Sequence, residues 1–118
     1  MQHDVVIVGA GPAGMSLALE LSGHGLRTAL IESSGEDFDP DTQALHDGEV
    51  TGNDRVDLMA LNPLDGVVDA DCRVHGTRNL YVASGSVMPS AGHANPTLTI
   101  IALSIRLADH LKERMASL

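Results

Sequence analysis

Residues 4–14 read Asp-Val-Val-Ile-Val-Gly-Ala-Gly-Pro-Ala-Gly, and they decide how the N-terminal part of the chain folds. The run before the glycines is rich in β-branched residues, which is typical of a parallel strand buried on both faces. Apolar residues at helical spacing follow from Pro12 to about Ser22, and Pro12 suits the first turn of a helix. Residues 28–32 predict a second strand. We therefore expect a right-handed βαβ crossover.

The glycines of this stretch form a G-x-G-x-x-G pattern between a predicted strand and a predicted helix, and Glu32 follows 18 positions after Gly14. This order is typical of dinucleotide-binding proteins. Their first glycine makes a tight turn, the second lets the backbone approach a pyrophosphate, and the third lets the helix pack closely on the strand. The predicted cofactor-binding residues are Gly9, Ala10, Gly11, Pro12, Ala13, Gly14, Glu32 and Ser33.

These residues determine the kind of nucleotide only in part. The phosphates would lie at the positive N-terminal end of the helix, so a chain of formal charge −9 can bind them without a basic side chain. Glu32 would accept hydrogen bonds from a ribose and would repel a 2′-phosphate, which argues against NADP. NAD and FAD both fit the fingerprint, and a plain strand–turn–helix that binds no nucleotide is the structural alternative.

The composition excludes several classes of protein. Sixteen acidic residues against seven basic ones argue against nucleic acid and anionic membranes as partners. Cys72 is the only cysteine, which excludes an intrachain disulfide, and Cys72 with His75 does not make a metal site. The N-terminus lacks the basic start of a signal peptide, and the apolar run after it is broken by glycine and proline. We expect a cytoplasmic, soluble protein of one domain.

The rest of the chain divides into an irregular part and a regular part. Residues 33–66 have no sustained periodicity, and they predict an irregular connection with a short helix that begins at Asp39. Residues 67–74 predict a small ribbon, and residues 80–83 a third core strand. Residues 95–115 predict one long helix, whose apolar first half predicts a homodimer. The polar side of that helix comprises Arg106, Asp109, His110 and Glu113.

Two C-terminal stretches resemble a known enzyme family. Residues 66–89 read Gly-Val-Val-Asp-Ala-Asp-Cys-Arg-Val-His-Gly-Thr-Arg-Asn-Leu-Tyr-Val-Ala-Ser-Gly-Ser-Val-Met-Pro, and residues 92–99 read Gly-His-Ala-Asn-Pro-Thr-Leu-Thr. They are similar to the C-terminal end of the glucose–methanol–choline (GMC) oxidoreductases, and the start of the chain looks like that of FAD-dependent oxidoreductases. The resemblance makes FAD the favoured nucleotide.

The resemblance also implies further cofactor-binding residues. In that family the residues after the last strand contact the pyrophosphate and the ribityl chain, and the matching positions here are Ser84, Gly85 and Ser86. Many members carry Asp where this chain has Ser84. The segment beside the isoalloxazine ring matches Asn95, Pro96 and Thr97, at the start of the long helix. A positive helix end at that position would favour the anionic reduced flavin.

The departures from the family concern catalysis. GMC enzymes have a large substrate domain between the two matching segments, and a catalytic His shortly before the stretch that corresponds to residue 66. Residues 57–65 of this chain contain no His. Asn95 matches one member of the family's catalytic pair, and His93 is a weaker candidate because that position varies in the family. No catalytic residue is assigned. The chain looks like such an enzyme with its middle removed, by natural deletion or, since both ends are so regular, by engineering.

The expected fold class is α/β, a Rossmann-like three-layer domain over residues 1–118. Helices would lie on both faces of a small parallel sheet, in the order second strand, first strand, last strand. Its parts would be residues 1–32, 33–66 and 67–118. The expected function is a minimal FAD-binding flavoprotein with a redox-capable flavin and no intact substrate site. Three alternatives stay open: a GMC-type alcohol or sugar oxidoreductase that needs a partner, an NAD-binding protein, and a structural remnant that binds no nucleotide.

Overall fold

The computed structural model describes residues 2–33, 40, 66–87 and 95–118. The predicted short helix at Asp39 and the candidate His93 lie outside these residues. The elements are strand β1 (Val5–Val8), helix α1 (Pro12–Leu21), strand β2 (Thr28–Ile31), a short 3-10 helix (Gly85–Val87) and helix α2 (Thr97–Ala116). The predicted strand–helix–strand unit and the long C-terminal helix are therefore both present, with bounds close to those expected from the sequence.

The two strands pair in parallel, with Val5 opposite Thr28 and Val8 opposite Ile31. Ahead of β1, the Asp4 carboxylate accepts three hydrogen bonds from Arg27: from the backbone N–H at 2.9 Å, from Nε at 3.1 Å and from Nη2 at 2.8 Å. The side-chain and backbone hydrogen bonds from Arg27 lower the pKa of Asp4 to about 2. The pair therefore fixes the register where both strands begin.

Helix α1 packs on one face of the sheet, and helix α2 packs against α1. One buried cluster contains Ile7 of β1, Leu17 and Leu21 of α1, and Leu107, Ala108 and Leu111 of α2. On the other side of β1, Val6 is 54% exposed and Val8 is 83% exposed among the described residues. The predictions of helices on both faces, and of a strand buried on both faces, are therefore wrong for the described part of the chain. The physical reason is that the apolar row of α2 is buried directly against α1.

Residues 80–83 do not join the sheet, so the predicted order of second, first and last strand is not found. The described sheet contains β1 and β2 alone. The backbone of residues 80–82 pairs with the ribbon instead: Val74 N–H donates to the Leu80 carbonyl and Val82 N–H donates to the Cys72 carbonyl, both at 2.9 Å. These backbone groups are therefore engaged away from β1. A cavity of about 510 Å³ separates β1 from residues 79–83.

The predicted ribbon is present in reduced form, as isolated antiparallel bridges between Val68 and Val74 and between Arg73 and Tyr81. Asp69 organises its turn by accepting hydrogen bonds from the Asp71 and Arg73 N–H groups, both at 3.0 Å. Burial raises the pKa of Asp69, but the hydrogen bonds from Arg73 and Asp71 outweigh burial and leave the pKa below its usual value. The turn is thus held by an ionised carboxylate.

A row of basic residues on α2 joins the helix to the ribbon. Arg106 donates to the Ala70 carbonyl, and the His110 ring centroid lies 5.9 Å from that of Tyr81. Arg114 donates to the Tyr81 hydroxyl at 3.1 Å and to the Arg78 carbonyl at 2.8 Å. Arg106 and His110 belong to the predicted polar side of the helix, and with Arg114 they form an i, i+4, i+8 row that contacts the ribbon.

Candidate nucleotide-binding site

The turn after β1 requires a glycine at its first position. Gly9 has φ +99°, which lies in the region that residues with a Cβ rarely adopt. Its N–H donates to the Ile31 carbonyl at 2.8 Å, so the turn is joined to the end of β2. The first glycine of the fingerprint therefore turns the chain sharply while the sheet hydrogen bonding continues.

Gly14 brings α1 against the turn. A Cβ built on Gly14 would lie 1.9 Å from the Gly9 carbonyl oxygen and 3.4 Å from Cγ2 of Ile7. No side chain larger than hydrogen fits at this distance unless the backbone moves. The close helix–strand packing predicted for the third glycine is thus visible in the geometry.

Gly11 faces open space at the N-terminus of α1. A Cβ built there meets no atom within 4 Å. Gly11 is also the N-cap residue, Pro12 opens the helix, and neither a side-chain cap nor an acidic residue is present in the first turn. The N–H groups at the start of a helix lack partners within the helix and carry its positive dipole end. This arrangement suits a phosphate group approaching the backbone.

Glu32 joins the glycine turn to the residue that follows β2. Its Oε2 accepts a hydrogen bond from the Ala10 N–H at 2.5 Å. Its Oε1 accepts hydrogen bonds from the Ser33 N–H at 2.7 Å and from Ser33 Oγ at 3.2 Å. The sequence pattern predicts an acidic residue at this place, but it gives no sign of these two local partners. The carboxylate is therefore already oriented beside the fingerprint.

The second group of predicted residues lies around the start of α2. Asn95 Oδ1 accepts hydrogen bonds from the Thr97 N–H at 3.0 Å and from Thr97 Oγ1 at 2.6 Å. The Pro96 carbonyl accepts the first helical hydrogen bond, from the Ile100 N–H at 2.9 Å. Asn95, Pro96 and Thr97 therefore form one ordered turn that fixes the N-terminal end of α2.

The short 3-10 helix packs against that same end of α2. A Cβ built on Gly85 would lie 3.2 Å from Cδ1 of Ile100, so the backbone at Gly85 closely approaches the helix. The Ser84 carbonyl accepts a hydrogen bond from the Val87 N–H at 3.3 Å. Ser86 lies within this helix. The structure thus gathers the predicted residues into two groups, one at the carboxyl ends of β1 and β2 and one at the start of α2.

Two family models match the chain, and together they cover both groups of residues. A model of an FAD binding domain matches residues 2–47, and a model of GMC oxidoreductase, named for its C-terminal part, matches residues 58–104. Over these two segments the chain is similar to the FAD-binding part of the GMC oxidoreductases. The cofactor that these matches indicate is FAD.

Similar proteins are much longer than this chain. The large subunit of fructose dehydrogenase from Gluconobacter japonicus is 46% identical over 52 residues, which is 44% of this chain and 10% of that protein. The 6‴-hydroxyparomomycin C oxidase of Streptomyces lividus is 43% identical over 56 residues, which is 48% of this chain and 10% of that protein. The chain therefore spans about a tenth of the length of these curated relatives. No solved structure matches it.

A further relative matches over a shorter stretch. The thiamine thiazole synthase of Sulfolobus acidocaldarius is 62% identical over 32 residues, which is 27% of this chain and 12% of that protein. This relative is not named as a GMC enzyme, so a short similarity of this kind extends beyond the family. The similarity to GMC oxidoreductases rests on the match over residues 58–104.

The residues present fit the adenosine diphosphate half of FAD. The open space at Gly11, the uncapped start of α1 and the oriented Glu32 carboxylate supply room, positive potential and a hydrogen-bond acceptor. Within residues 2–33, 66–87 and 95–118, no three His, Cys, Asp or Glu side chains could together hold a metal ion. In the same part of the chain, none of the helices combines the length and the apolar character that crossing a membrane requires.

Proposed function

We propose that the chain is a minimal FAD-binding unit that holds a redox-active flavin without a substrate site of its own. The observation that carries this proposal is the geometry of the glycine turn. Gly14 packs too closely on Gly9 for any side chain, whereas Gly11, three residues earlier, faces open space. Packing accounts for glycine at position 14. Packing does not account for glycine at position 11. The close approach of a phosphate to the backbone would account for it.

The N-terminal group of residues would bind the adenosine diphosphate half. The first turn of α1 offers backbone N–H groups and a positive dipole end to the pyrophosphate. Glu32 offers carboxylate oxygens to the ribose hydroxyls, and its negative charge disfavours a 2′-phosphate. The site needs no basic side chain, which agrees with the formal charge of −9.

The C-terminal group of residues would lie beside the isoalloxazine ring. Asn95 and Thr97 fix the start of α2 through the two hydrogen bonds to Asn95 Oδ1. The positive end of this 20-residue helix would stabilise negative charge next to it. When bound, FAD supplies electron transfer, which is chemistry that the side chains themselves cannot provide.

Specific oxidation of an alcohol is not expected from this chain alone. Residues 57–65 contain no His to act as the base that the family uses, and no catalytic residue is assigned. Reduction and reoxidation with artificial electron donors and oxygen need only the flavin. The flavin ring would also be more exposed to solvent than in a full-length relative.

A second candidate function is an oxidoreductase whose substrate-binding part is supplied by another chain. The uncovered face of the sheet favours it, since Val6, Val8 and Ile31 are 54%, 83% and 53% exposed. Apolar side chains clustered at a surface often mark a contact with another protein. Turnover of alcohols or sugars only after such a partner is added would distinguish this function from the first. That two copies of the chain associate through α2 also remains a prediction.

The proposed function is tested by titrating the chain and its Gly11→Val variant with FAD and following flavin fluorescence. Gly11 has φ −69° and open surroundings, so the variant should fold unchanged, which circular dichroism would verify. The expected result is saturable binding to the unaltered chain and none to Gly11→Val. Ser22→Val, an exposed substitution at the opposite end of α1, is the control and should bind normally. Equal binding by Gly11→Val would refute the proposed site.

A further inference from the structure

Ser33 is bound to the acidic residue of the fingerprint by two separate groups. Its N–H donates to Glu32 Oε1 at 2.7 Å, and its Oγ lies 3.2 Å from the same oxygen. The other carboxylate oxygen, Oε2, accepts from the Ala10 N–H at 2.5 Å. Both Glu32 and Ser33 are exposed residues. Local hydrogen bonds therefore orient this exposed carboxylate.

An exposed glutamate normally samples several rotamers, and fixing them on ligand binding costs free energy. A side chain held in its binding orientation beforehand avoids that cost. The Ala10 N–H fixes one oxygen relative to the glycine turn, and Ser33 fixes the other relative to the end of β2. With both oxygens held, the plane of the carboxylate is set before a ribose arrives.

We propose that Ser33 is a positioning residue for the nucleotide site, and that its hydroxyl acts through Glu32 rather than by touching the nucleotide. This inference rests on the proposed function, because Glu32 must bind the ribose for its orientation to matter. The Ser33 N–H is present whatever the side chain, so the hydroxyl contributes only the second restraint on Oε1. Its removal should weaken ribose recognition without abolishing nucleotide binding.

The test uses the full chain and calorimetric titration with two probes, ADP and 2′,3′-dideoxy-ADP. The second probe lacks the hydroxyls that Glu32 would bind. Ser33→Ala should bind ADP about three- to tenfold more weakly than the unaltered chain, which corresponds to the ordering of one side chain. Its affinity for the dideoxy probe should be unchanged. Ser33→Thr, which keeps a hydroxyl, should restore ADP binding, and Ser33→Ala should have no added effect in a Glu32→Ala background, which lacks the acceptor oxygens.

The outcomes separate the two proposals. Suppose that the unaltered chain binds ADP and FAD, and that the ADP affinity of Ser33→Ala equals or exceeds that of the unaltered chain. The positioning role is then refuted and the proposed function stands. An equal loss for both probes would also refute it, because that result indicates a structural effect unrelated to the ribose. If the unaltered chain binds neither ADP nor FAD, the proposed function fails and this inference fails with it.

Discussion

Substituting Gly14 by alanine should destabilise the fold even when no nucleotide is present. The new Cβ would lie 1.9 Å from the Gly9 carbonyl oxygen and 3.1 Å from the Gly9 carbonyl carbon. Both are backbone atoms, so a side-chain rotation cannot relieve the clash. Helix α1 would have to move away from β1 by about 1 Å or more to restore an ordinary contact. Cγ2 of Ile7, which belongs to the buried cluster with Leu17, lies 3.4 Å from the new Cβ.

The size of the effect follows from two opposing contributions. Overpacking a well-packed site typically costs ~1–3 kcal/mol, and a clash with backbone belongs at the upper end of that range. The better helix propensity of alanine offsets at most about 1 kcal/mol. The free energy of unfolding should therefore fall by about 2 kcal/mol. With an m-value of roughly 1 kcal/mol/M for a small protein in urea, the midpoint should fall by about 2 M.

The assay is urea unfolding followed by far-ultraviolet circular dichroism, without added nucleotide. Gly11→Ala is the matched control, because its Cβ would meet no atom within 4 Å. Its free energy of unfolding should fall by no more than about 1 kcal/mol, the usual cost of alanine at an N-cap position. An unchanged midpoint for Gly14→Ala, or an equal loss in Gly11→Ala, would refute the packing role assigned to the third glycine.

Two further predictions concern hydrogen bonds made by arginine side chains. The pKa of Asp4 is lowered to about 2 from 3.8. Its pairing with Arg27 therefore stabilises the fold above pH ~4, and that contribution disappears as the pH falls toward 2. Urea midpoints measured across this window should depend less on pH in Asp4→Asn, and identical pH dependence would contradict the pairing. Arg114→Met removes the donors to the Tyr81 hydroxyl and the Arg78 carbonyl and should cost about 1 kcal/mol, with exposed Glu113→Gln unchanged as control. Fluorescence of Tyr81, the only tyrosine, would follow this unfolding, and equal midpoints for Arg114→Met and the unaltered chain would count against the contact.

The local features of the nucleotide site could be predicted because short-range sterics dictate them. A turn directly after a strand needs positive φ at Gly9, and a helix that starts three residues later must pass close to it at Gly14. Both requirements appear in the sequence as glycines at fixed spacing. The length of α2 was equally clear, because its apolar period continues for five turns and both ends carry ordinary helix signals.

The arrangement of the elements could not be predicted in the same way. An apolar row on α2 indicates burial but does not say whether the row meets the sheet or another helix, and it meets α1. Residues 80–83 have the composition of a core strand, yet their backbone groups pair with residues 72–74. The Ala10 N–H that donates to Glu32 is a backbone group, so the residue type at position 10 gives no indication of this hydrogen bond. These packing and hydrogen-bond contacts depend on the three-dimensional arrangement, because each group could pair with several partners that the sequence alone does not distinguish.

A chain that binds FAD should retain the cofactor when excess FAD is removed, and this retention can be measured. The purified protein would be incubated with FAD and desalted, its absorption spectrum recorded, and the released cofactor identified by chromatography after heating. The account predicts a flavin spectrum with close to one FAD per chain. A colourless protein that takes up no added FAD would contradict it, and would mean that Gly9 and Gly14 serve only the turn and the packing of α1.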